Sequence, residues 1–127
     1  MRRGTLHRSL MGFEKLRVYQ AAEQLDAEIN VLIRKVPRGF ARDVDQLRRA
    51  SASIPYNIAE AYGSEQPGRK ISFLEISRGS ADETRAILRR LVMRGALSWK
   101  STLHASTLAR TVAKMLTSWI AQISTLL

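Results

Sequence analysis

The chain has 127 residues, 45% of them apolar and with no apolar run near the roughly 18 residues of a membrane span, which argues against disorder and membrane crossing and for one globular domain. It contains no cysteine, which excludes a disulfide framework, a thiolate metal site and a cysteine nucleophile. Lys plus Arg number 21 against 11 Asp plus Glu, a net charge of +10 that favours a polyanionic partner, nucleic acid first and an anionic membrane surface second.

In chain order, MRRGTLHRSLMG (residues 1–12) is basic, but Leu6, Leu10 and Met11 do not form the continuous apolar core of a signal peptide. It is expected to be a flexible extension of a cytoplasmic protein. Residues 13–127 carry helical periodicity and no convincing alternating strand pattern. In EKLRVYQAAEQLDAEINVLIRKV (residues 14–36), Val18, Ala22, Leu25, Ile29, Leu32 and Val36 recur at steps of four and three, a heptad seam closed by Pro37 and Gly39. Glu23, Asp26, Asn30 and Arg34 lie opposite, as a solvated face would.

The second segment contains QLRRASASIPYNIAEAYG (residues 46–63), with a proline near its middle. A helix-interior proline loses one hydrogen bond and clashes with the preceding turn, at a cost of about 3 kcal/mol. Two readings are open: Pro55 begins a new helix, a position proline favours, or it kinks a continuous one. Val44, Leu47, Ser51, Ile54, Ile58 and Ala61 keep one register straight through it, which favours the kink. The hydroxyls of Ser51 and Ser53 are then expected to help satisfy or bend the freed turn.

GSEQPGRK (residues 63–70) reads as a loop. A third helix follows over about 71–94. Leu74, Ser77, Ala81, Leu88 and Leu91 share one arc, with Phe73, Ser80, Thr84 and Ile87 beside it and Gly79 on the polar side. SWKSTLHAST is a connector or a frayed helix start. In TLARTVAKMLTSWIAQISTLL the apolar stripe is Leu108, Val112, Met115, Trp119, Ile123 and Leu126, widened by Leu116, Ile120 and Leu127. That breadth fits either burial against two neighbours in the same chain or a subunit interface. The expected fold is all-α: an up-down-up-down four-helix bundle over residues 13–127, its second helix kinked at Pro55.

Recognisable active-site constellations are missing. A di-iron bundle needs Glu-x-x-His pairs, but His104 follows Ser101 by three residues and His7 follows Gly4. Neither histidine lies in a nucleophile motif, and Glu60, Glu75, Asp82 and Glu83 are explained by helix-face ion pairs such as Asp82 with Arg78 or Arg85. No enzyme, metal or cofactor is expected.

The charge carries the functional signal. Sixteen of the 21 cations are arginine, whose planar fork grips phosphate through two bonds. No acidic residue follows Glu83, whereas Arg85, Arg89, Arg90, Arg94, Lys100, Arg110 and Lys114 do. On the third helix Arg78, Arg85 and Arg89 fall within about 40°, a stripe on its solvent face, with Arg90 and Arg94 in a second row. Arg48 and Arg49 on the second helix and Lys114 on the last complete the candidate nucleic-acid-binding set. Aromatic residues are 6% of the chain and do not interleave with the arginines, so contact with the RNA or DNA backbone is expected rather than base reading. The alternative is a structural or protein-interaction bundle that binds no nucleic acid; peripheral membrane binding ranks below both.

FEKLRVYQAAEQL, QLRRASASIPYNIAEAYG and FLEISRGSADE, in this order and spacing, resemble the four-helix-bundle proteins encoded in intervening sequences of bacterial large-subunit ribosomal RNA genes. The resemblance covers about residues 13–97; SIPYNIAEAYG is its most specific part, and Ala61 stands where the family usually has glycine. Members tend to begin near Met11, which would make residues 1–10 an extension or the product of an upstream start. That family is similar to the accessory subunit of diversity-generating retroelements, which KMLTSWIAQI (residues 114–123) also resembles. The resemblance implies a homo-oligomer, a pentamer, with a non-enzymatic accessory role beside nucleic acid and a reverse transcriptase. It also implies that Pro55 is a family feature and that Asn57 and Glu60 serve packing or assembly.

Overall fold

A computed structural model describes residues 12–127; the predicted extension, Gly12 apart, lies outside the described residues. A 3-10 turn, Phe13–Lys15, leads into α1 (Arg17–Ile33), α2 (Ala41–Gly63), α3 (Pro67–Met93) and α4 (Trp99–Ser124). Each helix packs on the next and α1 closes against α4, which makes the all-α, up-down-up-down four-helix bundle. One core runs through it: Leu25, Ile29, Leu47, Ile54, Ile58, Leu74, Leu88, Leu91, Val112 and Leu116 are fully buried.

The helix ends show where periodicity alone misleads. Residues 67–70, expected in a loop, form the first turn of α3, with Pro67 at the position where a missing N–H costs nothing. Lys70 then reaches back and donates to the Ala61 and Tyr62 carbonyls at 3.0 and 3.3 Å, capping the end of α2. The α3–α4 turn depends on Gly95. Its φ of +81° lets Gly95 N donate to Val92 O (3.0 Å) and Ala96 N to Leu91 O (2.8 Å), a Schellman closure. Three residues after Ala96, α4 begins abruptly at Trp99 rather than through a connector. Ser98 Oγ accepts from Ser101 N at 3.0 Å and Ser98 N donates to Ser101 Oγ at 3.2 Å. This capping box has serine in place of the usual Glu or Gln at its third position, so its sequence signature is weak.

α2 runs unbroken through the buried Pro55, as its register predicts. The polar groups around the proline are arranged differently from the expectation. Ser51 Oγ donates to Asp26 Oδ1 of α1 at 2.9 Å and also lies 3.2 Å from the Arg48 carbonyl, which takes Asp26 out of the purely solvated face. Ser53 Oγ accepts from Asn57 Nδ2 and contacts Ser80 Oγ, each at 2.9 Å. Asn57 Nδ2 also donates to the Ser53 carbonyl (2.8 Å), and Ser77 Oγ of α3 donates to the Ile54 carbonyl (2.9 Å). A small hydroxyl-and-amide cluster thus surrounds the proline turn. Ser77→Ala is expected to lower stability by about 1–2 kcal/mol, because Ile54 O loses this donor in a buried site. Urea unfolding should show a lower midpoint with an unchanged slope.

In α4 the buried face consists of Thr102, Ala105, Ala109, Val112, Leu116, Ile120 and Ile123. Leu108, Met115 and Trp119 are half-buried on its edge, and Leu126 lies past the helix end, 71% exposed. α4 packs against α1 and α3, which cover its buried face fully and the Leu108, Met115 and Trp119 edge only in part.

Candidate functional site

The Arg78–Arg85–Arg89 row exists, but it runs along the α3–α4 seam rather than down the open solvent face. Arg78 Nη1 donates to Thr117 Oγ1 of α4 at 3.1 Å, and Arg78 and Arg85 are half-buried. The Arg89 guanidinium sits 5.5 Å from the centroid of the Trp99 ring. A shallow groove of about 390 Å³ gathers Arg78, Arg85, Arg110 and Lys114 around Asp82. A second groove, of about 750 Å³, shares Asp82 and Arg85 with it and adds Arg89, Lys100 and Trp99. Six cations from two helices thus face one carboxylate. The only ion pair among them is the long Asp82–Arg85 contact at 3.8 Å, and Arg85 Nε is buried without an acceptor among the described residues. Arg89, Lys100, Arg110 and Lys114 are exposed, so the net positive charge of this face is open to solvent.

The other predicted cations are placed differently. Arg90 and Arg94 lie on the opposite flank of α3, where both hold Asp43 of α2: Arg90 Nε is 3.1 Å from Oδ1 and Arg94 Nη1 is 3.2 Å from Oδ2. The Asp43 side chain is only 8% exposed, and Arg94 also stacks at 4.8 Å over Phe40. Arg49 pairs with Asp45 at 3.1 Å in solvent. Arg48 is exposed on α2 and has no ion pair among the described residues. Of the eight predicted residues, the structure therefore brings together Arg78, Arg85, Arg89 and Lys114. Lys100, Arg110 and Trp99 were missed as site residues. The acid-free stretch after Glu83 does flag the two cations, but not the face of α4 they occupy.

Elsewhere the polar groups do structural work. His104 Nδ1 lies 2.7 Å from Glu28 Oε2, tying α4 to α1. Burial, then Glu23 and Glu14, push the Tyr19 phenol above its ordinary value, which keeps it a neutral packing group against the Phe13 ring. Among the described residues no group of three or more acidic or histidine side chains is placed to hold a metal ion, and no helix is long and apolar enough to cross a membrane.

Residues 14–118 match the model of the 23S rRNA-intervening sequence protein family, the greater part of the chain. The chain belongs to this family. A comparison with curated proteins returns no match. In this intervening sequence protein the matched span holds α1 to α3 and most of α4, including all six cations of the α3–α4 face. It also contains the Pro55 turn with its Ser53, Asn57, Ser77 and Ser80 partners. Asn57 bonds within its own helix, whereas Glu60 is exposed.

Proposed function

We propose that this protein is a non-enzymatic, cytoplasmic, nucleic-acid-binding bundle that grips the phosphate backbone of RNA or DNA along its α3–α4 face. The observation that carries the reading is charge placement. Half of the formal excess resides on one face, where six cations meet one acid, while Asp43 and Asp45 engage the arginines of the α2–α3 flank. Four of those six cations are arginines, suited to bidentate phosphate contacts. The resemblance to retroelement accessory subunits extends the proposal to a homo-oligomer, a pentamer, that acts as an adaptor for a reverse transcriptase.

Fluorescence anisotropy with a structured RNA and a matched DNA duplex, between about 50 and about 200 mM salt, tests the reading. Affinity should fall steeply with salt. Replacing Arg78, Arg110 and Lys114 together with glutamine removes three phosphate contacts and should flatten the logarithmic salt slope by about 2–3. Absence of binding at low salt would overturn the proposal and leave the charge to an acidic protein partner. An unchanged slope in the triple variant would remove this face from it.

A further inference from the structure

The larger groove holds more than charge. Its floor and walls include Leu88, Leu103 and Trp99, and its rim carries Arg85, Arg89 and Lys100. Trp99 is 56% exposed and Leu103 65% exposed, two large apolar side chains left in water on the face that gathers the six cations. Trp99 is the first residue of α4, fixed there by the Ser98–Ser101 capping box, and Arg89 steadies its ring from α3. An aromatic surface is thus pinned at both its backbone and its ring, with cations on either side.

We infer that this groove receives an unstacked nucleobase, with Trp99 as the stacking platform and Arg85, Arg89 and Lys100 holding the flanking phosphates. The inference deepens the nucleic-acid reading and rests on it. A phosphate backbone alone gains nothing from an exposed indole, and an acidic peptide would satisfy the cations but not the apolar floor. A nucleotide matches both halves: a flat ring with an apolar face, joined to an anion. The groove volume of about 750 Å³ is ample for one. Asp82, the one carboxylate at the junction with the smaller groove, repels phosphate there and offers an acceptor to a base N–H. The strand therefore passes its base over Trp99 and continues along Arg78, Arg110 and Lys114. Bases in a duplex are stacked out of reach of such a platform, so single strands, loops and bulges are the preferred ligands.

The test uses the full chain with Trp119→Phe, so that Trp99 is the only indole, and titrates a short single-stranded oligonucleotide against the same sequence as a duplex. Saturating single strand should quench Trp99 emission, while duplex should leave it nearly unchanged. Trp99→Ala should weaken single-strand binding about tenfold and leave duplex affinity and the salt slope as they were. Trp99→Phe, which keeps an aromatic face, should recover most of the loss. Circular dichroism of each variant establishes that the bundle is intact. Salt-sensitive binding without Trp99 quenching, or equal weakening of both ligands by Trp99→Ala, would overturn this inference and leave the backbone reading standing. Quenching that grows with protein concentration alone would assign the groove to a second copy and also overturn it. Absence of any binding at low salt would sink both.

Discussion

Replacing Arg90 and Arg94 together with alanine is expected to destabilise the protein by about 3 kcal/mol, the largest loss from any pair of surface arginines. Both reach Asp43, whose side chain is 8% exposed at the start of α2. Removing both leaves a desolvated carboxylate without counter-charge or donor, the circumstance in which a broken buried pair costs about 3–5 kcal/mol. The lower end applies because the arginine side chains are 60% and 45% exposed, so water already offsets part of their attraction. Arg94 also gives up its stacking on Phe40. Urea unfolding should show the midpoint fall with the slope held. The same double change in an Asp43→Asn background should cost far less, since the charge to be neutralised is gone. Arg78→Gln with Lys114→Gln should stay within about 0.5 kcal/mol of the parent protein. A double-alanine variant as stable as the parent would mean that the Asp43 clamp contributes nothing to the fold.

That contrast marks how far the sequence can be read. Spacing places Arg78, Arg85 and Arg89 on one row of α3, and they are on one row. It also identifies Val18, Ala22, Leu25, Ile29, Leu32 and Val36 as one seam; the five within α1 are buried, whereas Val36 lies past the helix end and is half-buried. Both are properties of a single helix, set by 3.6 residues per turn. What lies across from a helix is another matter. Asp43 is a helix-start acid by position, yet it is buried because Arg90 and Arg94, 47 and 51 residues later, close over it. Asp26 reads as part of the solvated face of α1, yet it is half-buried on the flank of the stripe and Ser51 of α2 donates to it. Aromatic and basic residues do not interleave along the chain, but Arg89 and Trp99 meet across the Gly95 turn. Such pairings depend on how the helices are rotated about their axes, which local periodicity constrains loosely when an apolar arc is broad.

The rotation of α4 is the case with the largest consequence, and two single truncations measure it. Leu116→Ala is expected to cost about 3–4 kcal/mol, and Leu108→Ala about 1 kcal/mol. The stripe read from the sequence runs through Leu108, Val112, Met115, Trp119, Ile123 and Leu126, with Leu116 on its widened flank, which would make Leu108 the more costly loss. In the structure Leu116 is fully buried and Leu108 is half-buried at the edge. The centre has moved toward the small residues Thr102, Ala105 and Ala109, a turn of roughly 60° at 100° per residue. Small side chains let α4 approach its neighbours closely, so the best packing does not follow the largest residues. The same turn swings Arg110 and Lys114 beside Arg78 and Arg85, and Lys100 beside Arg89. Core packing therefore determines where the basic face forms. Ala109→Leu carries this coupling to function. Overpacking a residue with no exposed surface should cost about 1–3 kcal/mol and displace α4. In a variant that remains folded, the salt slope for nucleic acid should flatten although no charge has changed. A folded Ala109→Leu protein with an unaltered slope would show instead that the six cations bind independently of the helix packing that gathers them.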